Sequence, residues 1–208
     1  NLTEREILHL RSLEAWCKLD LRKTTSCWQN IVDNYPQDAL AIKMLHYSYF
    51  YLGDLENLKL SVENSWEYWD HNKESSYYGY LLSLKAFGLE ENGYYKEAED
   101  LAYEAYYTNK DDAWAVHTIS HVYEMNDQSE NGIDWIKKSF LPDKWNNFKY
   151  HLQWHKALMS FNSYTNKEIL NIYDNDVFDM DSEEYLDLIN NISLLFRLEI
   201  LNANVGNR

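Results

Sequence analysis

Two cysteines, two prolines and six glycines in 208 residues leave little covalent bracing and few chain breakers. Cys17 and Cys27 are too few for a disulfide framework or a thiolate metal site, and the pattern fits a reducing compartment, hence a cytoplasmic location. A β-sandwich or barrel needs a turn signal every ~8–12 residues, which so few Gly and Pro do not supply. Leu, Ala, Glu and Lys recurring between sparse breakers favour helices, so the fold class reads as all-α. Basic residues are also short, 19 against 34 acidic, for a formal charge of -15. That balance argues against a nucleic-acid partner, whose phosphates are held largely by Lys and Arg, and against an anionic membrane surface. No apolar run reaches transmembrane length and no basic-then-apolar leader appears. Asn1-Leu2-Thr3 and Asn191-Ile192-Ser193 match the glycosylation pattern, but so short a motif recurs by chance. The chain starts without Met and ends soon after a strongly helical segment, which reads as an internal piece of a longer protein.

What the sequence does contain is a period. In residues 79–112 an apolar helical pattern ends near Asn92-Gly93, and a second begins at Tyr94-Tyr95 with small residues at Ala98, Ala102 and Ala105. Small side chains there let two helices approach closely. Counting 34 residues onward, the tetratricopeptide period, puts Gly132 and Ser139 on the small-residue positions of residues 113–146. Counting back across an insert from Lys73 to Tyr78, residues 39–72 fit with Gly53 at the turn, and Tyr35-Pro36-Gln37-Asp38 closes a first unit over residues 5–38. A fifth unit covers residues 147–180, beginning near Asn147, with its loop lengthened around residues 163–166. Asp181 to Glu184 would cap a terminal helix over residues 181–203. A helical hairpin cannot bury its apolar face alone, so neighbours stack, and the expectation is a single helical-repeat domain over residues 1–208: about five hairpins plus a C-terminal helix.

The segment 79–112 resembles the tetratricopeptide consensus, departing from it at Leu82 and Ala86. The runs ALAIKMLHYSYFYLGD (39–54) and DAWAVHTISHVYEM (112–125), with HLQWHKAL (151–158), resemble the tetratricopeptide repeat protein 38 family and its bacterial relatives. The resemblance spans essentially the whole chain and implies a tetratricopeptide-like α-solenoid. It carries no defined activity with it.

Four of the seven histidines form two His-x-x-x-His pairs separated by one period, so His117 aligns with His151 and His121 with His155. Residues four apart on a helix share a face, and Glu124 extends the first stripe. In tetratricopeptide proteins ligands usually sit on the concave wall formed by the first helix of each unit, which implies a groove lined by Lys43, Tyr47, Tyr80, Phe87, Glu90, His117, His121, Glu124, His151 and His155. Two readings follow. The groove is a binding surface for a peptide or protein segment, or for a small molecule, in a scaffold protein. Alternatively His117, His121, His151 and His155 hold a divalent transition metal, which imidazole suits, or work as acid and base in an enzyme. No full catalytic signature such as His-Glu-x-x-His is present.

The remaining features read as structural. Trp28, Trp66, Trp69, Trp135 and Trp145 are expected in the seams between helices, whereas Tyr47, Tyr80 and Trp154 are expected at the groove as aromatic anchors. His9, His46 and His71 are isolated and expected to be structural, Cys17 and Cys27 to pack as small apolar residues, and the acidic runs to be solvated faces and caps.

Overall fold

Residues 2–139 and 148–208 are described by the computed structural model; Trp145 and the 146/147 boundary expected between the fourth and fifth units lie outside them. Twelve α-helices occur among the described residues, and no strand. They run α1 (Glu4–Cys17), α2 (Leu21–Asn34), α3 (Ala39–Leu52), α4 (Leu55–Glu63), α5 (Trp66–Asp70), α6 (Tyr78–Glu90), α7 (Tyr95–Thr108), α8 (Ala113–Met125), α9 (Ser129–Ser139), α10 (Phe148–Met159), α11 (Asn166–Ile172) and α12 (Tyr185–Ile200). Residues group into two compact units, Asn1–Thr118 and Ile119–Arg208, with the division inside α8.

Short polar side chains set the helix starts. Asp20, Asp38 and Asp54 accept hydrogen bonds from the backbone N–H three residues on, opening α2, α3 and α4. Thr3 with Glu6 and Thr165 with Glu168 form reciprocal capping boxes at α1 and α11. Gly53, at φ 66°, ends α3 in the left-handed conformation that a Cβ disfavours. The terminal helix departs from expectation: Glu184 makes no side-chain cap, and the Ser182 hydroxyl instead donates to Asp187 at 2.6 Å.

In the first unit successive helices pack as hairpins, α1 on α2, α3 on α4 and α6 on α7. Their core joins Trp28, Ile31, Ile42, Leu45, Val62, Leu81, Leu82 and Ala105. Burying each of the larger side chains contributes about 1.5–3 kcal/mol. The second helix of the 39–72 segment is broken in two, as α4 and α5. Trp69 on α5 is buried and its Nε1 donates to the Pro36 carbonyl at 2.9 Å, tying that turn to the end of α2. Gly88 lets α6 approach α4 so closely that a Cβ would stand 2.9 Å from the Lys59 Cα. Trp66 packs against the same core. Cys17, at the end of α1, is exposed rather than packed, and Cys27 is half-buried.

In the second unit α10 packs against α9 and α12. Ala157, Ile169, Tyr173, Val177, Leu194 and Leu198 form one core, and Ile133, Ile136 and Met159, with Trp135 against them, form another. Among the described residues no helix is long and apolar enough to cross a membrane.

Candidate functional site

Lys43 and Asp112 face a cavity of about 830 Å³ in the first unit, whose wall also carries Arg5, His9, Asp38, Tyr77, Tyr80 and Trp114. Lys43 stands one helical turn before Tyr47 on α3, and its Nζ lies 4.5 Å from the Tyr47 ring centre and 4.0 Å from that of Trp114. Among the described residues no carboxylate comes within ion-pair distance of Nζ, and no hydrogen bond is made to it. Burial lowers the Lys43 pKa to about 8, opposed by the charge of Asp112.

Asp112 opens α8. Its Oδ1 accepts the Trp114 N–H at 3.0 Å, and its Oδ2 is buried with no hydrogen bond of its own. The Ser83 hydroxyl beside it is already given to the Tyr80 carbonyl at 2.8 Å. Burial raises the Asp112 pKa to about 6, while Ser83, the Trp114 and Ala115 N–H groups and Lys43 all pull it down. The carboxylate is 2% exposed, yet at neutral pH it is mostly ionised.

Further along the cavity wall, Asp38 caps α3 through Oδ1 and receives the His9 ring nitrogen on Oδ2 at 2.8 Å, with Arg5 Nε 3.7 Å away. Tyr77 and Tyr80 stand exposed at 58% and 46%. Cations, carboxylates and aromatic faces therefore share one space.

Of the residues expected in the groove, Lys43 and Tyr80 line this cavity, and Tyr47 supports Lys43. Phe87 is 2% exposed and packs with His46, Phe50, Trp114 and His117, at ring separations of 5.4–6.0 Å. His117 is buried in that aromatic group, with Trp114 also 5.4 Å away. Glu90 is buried near the end of α6. Asp38 and Asp112 fit the expectation that acidic side chains cap helices, and His9 was expected to be structural. The caps are real, but all three also line the cavity. His46 is structural as expected, its Nδ1 donating 3.2 Å to the Leu58 carbonyl in a site that lowers its pKa to about 3. His71 is exposed and bonds to the Glu67 carbonyl within its own helical turn.

A second constellation lies within the second unit. His121 and Glu124 come from α8, and His151 and His155 stand one turn apart on α10. His155 Nε2 is 3.1 Å from His121 Nε2 and also 3.1 Å from His151 Nε2. On its other side His155 Nδ1 lies 3.4 Å from Glu124 Oε2. His151 Nδ1 meets the Asn190 amide at 3.0 Å, and Trp154 stacks on the His151 ring at 5.6 Å while its Nε1 donates to Ser193. Burial holds His151 and His155 well below the ordinary imidazole pKa, and neighbouring imidazoles add to the effect. Both rings are therefore neutral near pH 7, the form that can offer a lone pair to a metal. Burial also raises the Glu124 pKa, against the pull of His121 and Arg197.

No protein-family model matches the chain. A thermophilic TPR protein in Thermus thermophilus is similar in structure, with a TM-score of 0.67 and 15% identity over 93% of this chain and 100% of the other. The MamA RS-1 ArsTM double mutant is similar over 96% of this chain and 99% of its own, with a TM-score of 0.57 and 12% identity. At such identities the likeness speaks to fold alone: the chain has the all-α, tetratricopeptide-like fold of the α-solenoid class.

Proposed function

We propose that this chain is a tetratricopeptide-like binding module that takes a peptide or protein segment into the cavity of its first unit. One observation carries the reading: Lys43 and Asp112 line the same cavity, Lys43 Nζ resting on the Tyr47 and Trp114 rings with no ion pair among the described residues, and Asp112 Oδ2 being a buried oxygen without a hydrogen bond. A buried polar atom without a partner costs about 1–3 kcal/mol, which a ligand recovers by bonding to it. A peptide main chain offers what both groups lack, a carbonyl to accept from the ammonium and an N–H to donate to the carboxylate. Tyr77, Tyr80 and Trp114 supply the rigid aromatic area on which a side chain can rest. The volume lies within the range of pockets that hold small ligands, so a small molecule carrying an amide is the nearest variant of the same chemistry.

Membership of the tetratricopeptide repeat protein 38 family and a cytoplasmic location belong to this reading. Their support is the three sequence runs at 39–54, 112–125 and 151–158 and the scarcity of cysteine. The test is selection from a displayed random-peptide library, followed by calorimetry on a selected peptide. Lys43→Met and Asp112→Asn are each expected to weaken binding about tenfold or more, the loss of one hydrogen bond to a charged group. Exposed His71→Ala should leave it unchanged. A peptide that binds both cavity variants as tightly as the parent would overturn the proposal.

A further inference from the structure

The histidine cluster of the second unit lies outside the cavity proposed for the peptide, and its hydrogen-bond arithmetic is unusual. A neutral imidazole has one N–H and one in-plane lone pair. An ionised Glu124 can only accept, so the His155 proton sits on Nδ1 and the lone pair is left on Nε2. Two further imidazole nitrogens, from His121 and His151, approach that single lone pair at 3.1 Å each. One of them can donate to it well; the second contact sets nitrogen against an acceptor already in use. A cation turns such opposed lone pairs into ligands.

We propose that the second unit binds one divalent transition-metal ion through the Nε2 atoms of His121 and His155, with Glu124 holding His155 in the ligating tautomer and the His151 ring, 3.1 Å away, helping to position it. Two nitrogens bound to one zinc at about 2.0–2.1 Å stand roughly 3.3 Å apart in tetrahedral geometry, so the 3.1 Å spacing needs only a small adjustment. The pairing of Glu124 with His155 Nδ1 is the carboxylate–histidine–metal arrangement that raises ligand basicity and fixes the ring. The Asn190 amide N–H donates to His151 Nδ1 at 3.0 Å, which leaves the His151 proton on Nε2, 3.1 Å from His155, so that His151 orients the ligating ring rather than joining it on the ion. A nitrogen-rich donor set selects Zn²⁺, Co²⁺, Ni²⁺ or Cu²⁺ over Mg²⁺ and Ca²⁺. Trp154 stacked on His151 and the α10–α12 packing behind it hold the rings before the ion arrives.

The test uses the untagged chain, stripped of metal with a chelator and titrated with ZnCl₂ by calorimetry. Saturation at one Zn²⁺ per chain is expected, with Mg²⁺ unable to compete. His155→Ala and His121→Ala should each weaken binding about 100-fold, and Glu124→Gln about 10- to 100-fold with the stoichiometry kept. Exposed His71→Ala should change nothing. Zinc bound equally well by a His121→Ala/His155→Ala double variant would overturn the proposal, as would binding that His71→Ala removes. Should an alanine variant lose its helical circular dichroism, Co²⁺ added to the unmodified chain decides: intense visible bands of four-coordinate cobalt are expected, and the weak spectrum of hydrated Co²⁺ would overturn it. Because this site and the peptide cavity lie in different units, failure of either test leaves the other standing.

Discussion

In the first unit burial acts on two groups of opposite sign, and in the second on a set of like rings. Desolvation is the first cause in each case, but its consequences differ. It pushes Lys43 down to about 8 and Asp112 up to about 6, leaving both charged near pH 7 and the Asp112 Oδ2 without a hydrogen bond. It pushes His151 and His155 far enough down that no charge remains at neutral pH. A buried site that keeps its charges suits a polar organic ligand, whereas one that surrenders them suits a metal ion bringing its own. One physical term, applied to different side chains, is what the two proposed sites have in common.

The largest effect expected is on stability as a function of pH. The folded Asp112 holds its proton to a higher pH than its unfolded value of 3.8, so its contribution falls as pH rises from about 4 to about 6. The folded Lys43 binds its proton less tightly than the unfolded value of 10.5, so stability rises with pH from about 8 to about 10.5. Each limb is worth on the order of 3 kcal/mol. His151 and His155 work in the opposite direction to Asp112: their lowered values contribute stability above the unfolded pKa of 6.5, which is lost as pH falls below it. Urea midpoints measured across the pH range should therefore lose their alkaline rise in Lys43→Met. In Asp112→Asn the fall in stability between about pH 4 and 6 should shrink, leaving the buried histidines, His46 included, to dominate the acid side, with the Lys43 limb beginning at lower pH for want of its counter-charge. Unchanged profiles in both variants would mean that the groups are solvated.

A smaller effect separates two glycines. Gly88→Ala drives a Cβ against the Lys59 backbone, which cannot yield, at about 1–3 kcal/mol for the overpacking less about 1 kcal/mol for better helix propensity. Gly132→Ala in α9 meets chiefly the flexible end of Met159, so the propensity gain should roughly cancel the cost. Denaturant unfolding should show Gly88→Ala destabilised and Gly132→Ala near neutral; the reverse order would contradict the close approach of α4 and α6. Smallest of all, Thr3→Ala and Thr165→Ala each remove one capping box and should cost about 1 kcal/mol apiece, with no difference between units beyond a few tenths.

Much of the fold was legible because its signals are local. Ala98, Ala102 and Ala105 marked the inner face of α7, all three buried, and Asp38 and Gly53 marked the ends of α3. The period also picked out His121 and His155 as equivalent positions, and their Nε2 atoms meet. The cavity was harder to read. Nearly every side of α6 is buried, from Tyr78, Leu81 and Leu84 to Phe87 and Glu90, so apolar spacing could not tell that Tyr80 faces the cavity and Phe87 the core. The His9–Asp38 contact spans 29 residues and leaves no mark in the sequence pattern. The break between α4 and α5 was equally silent, because the buried Trp69 that fixes it answers to Pro36, far back in the chain.

The most direct measurement is the Lys43 side-chain titration, followed by NMR on a chain labelled at lysine, with and without a selected peptide. A midpoint near 8 in the free protein is expected, moving on peptide addition and absent in Lys43→Met. A midpoint near the ordinary 10.5, indifferent to peptide, would contradict the claim that the first unit holds a desolvated amine waiting for a ligand.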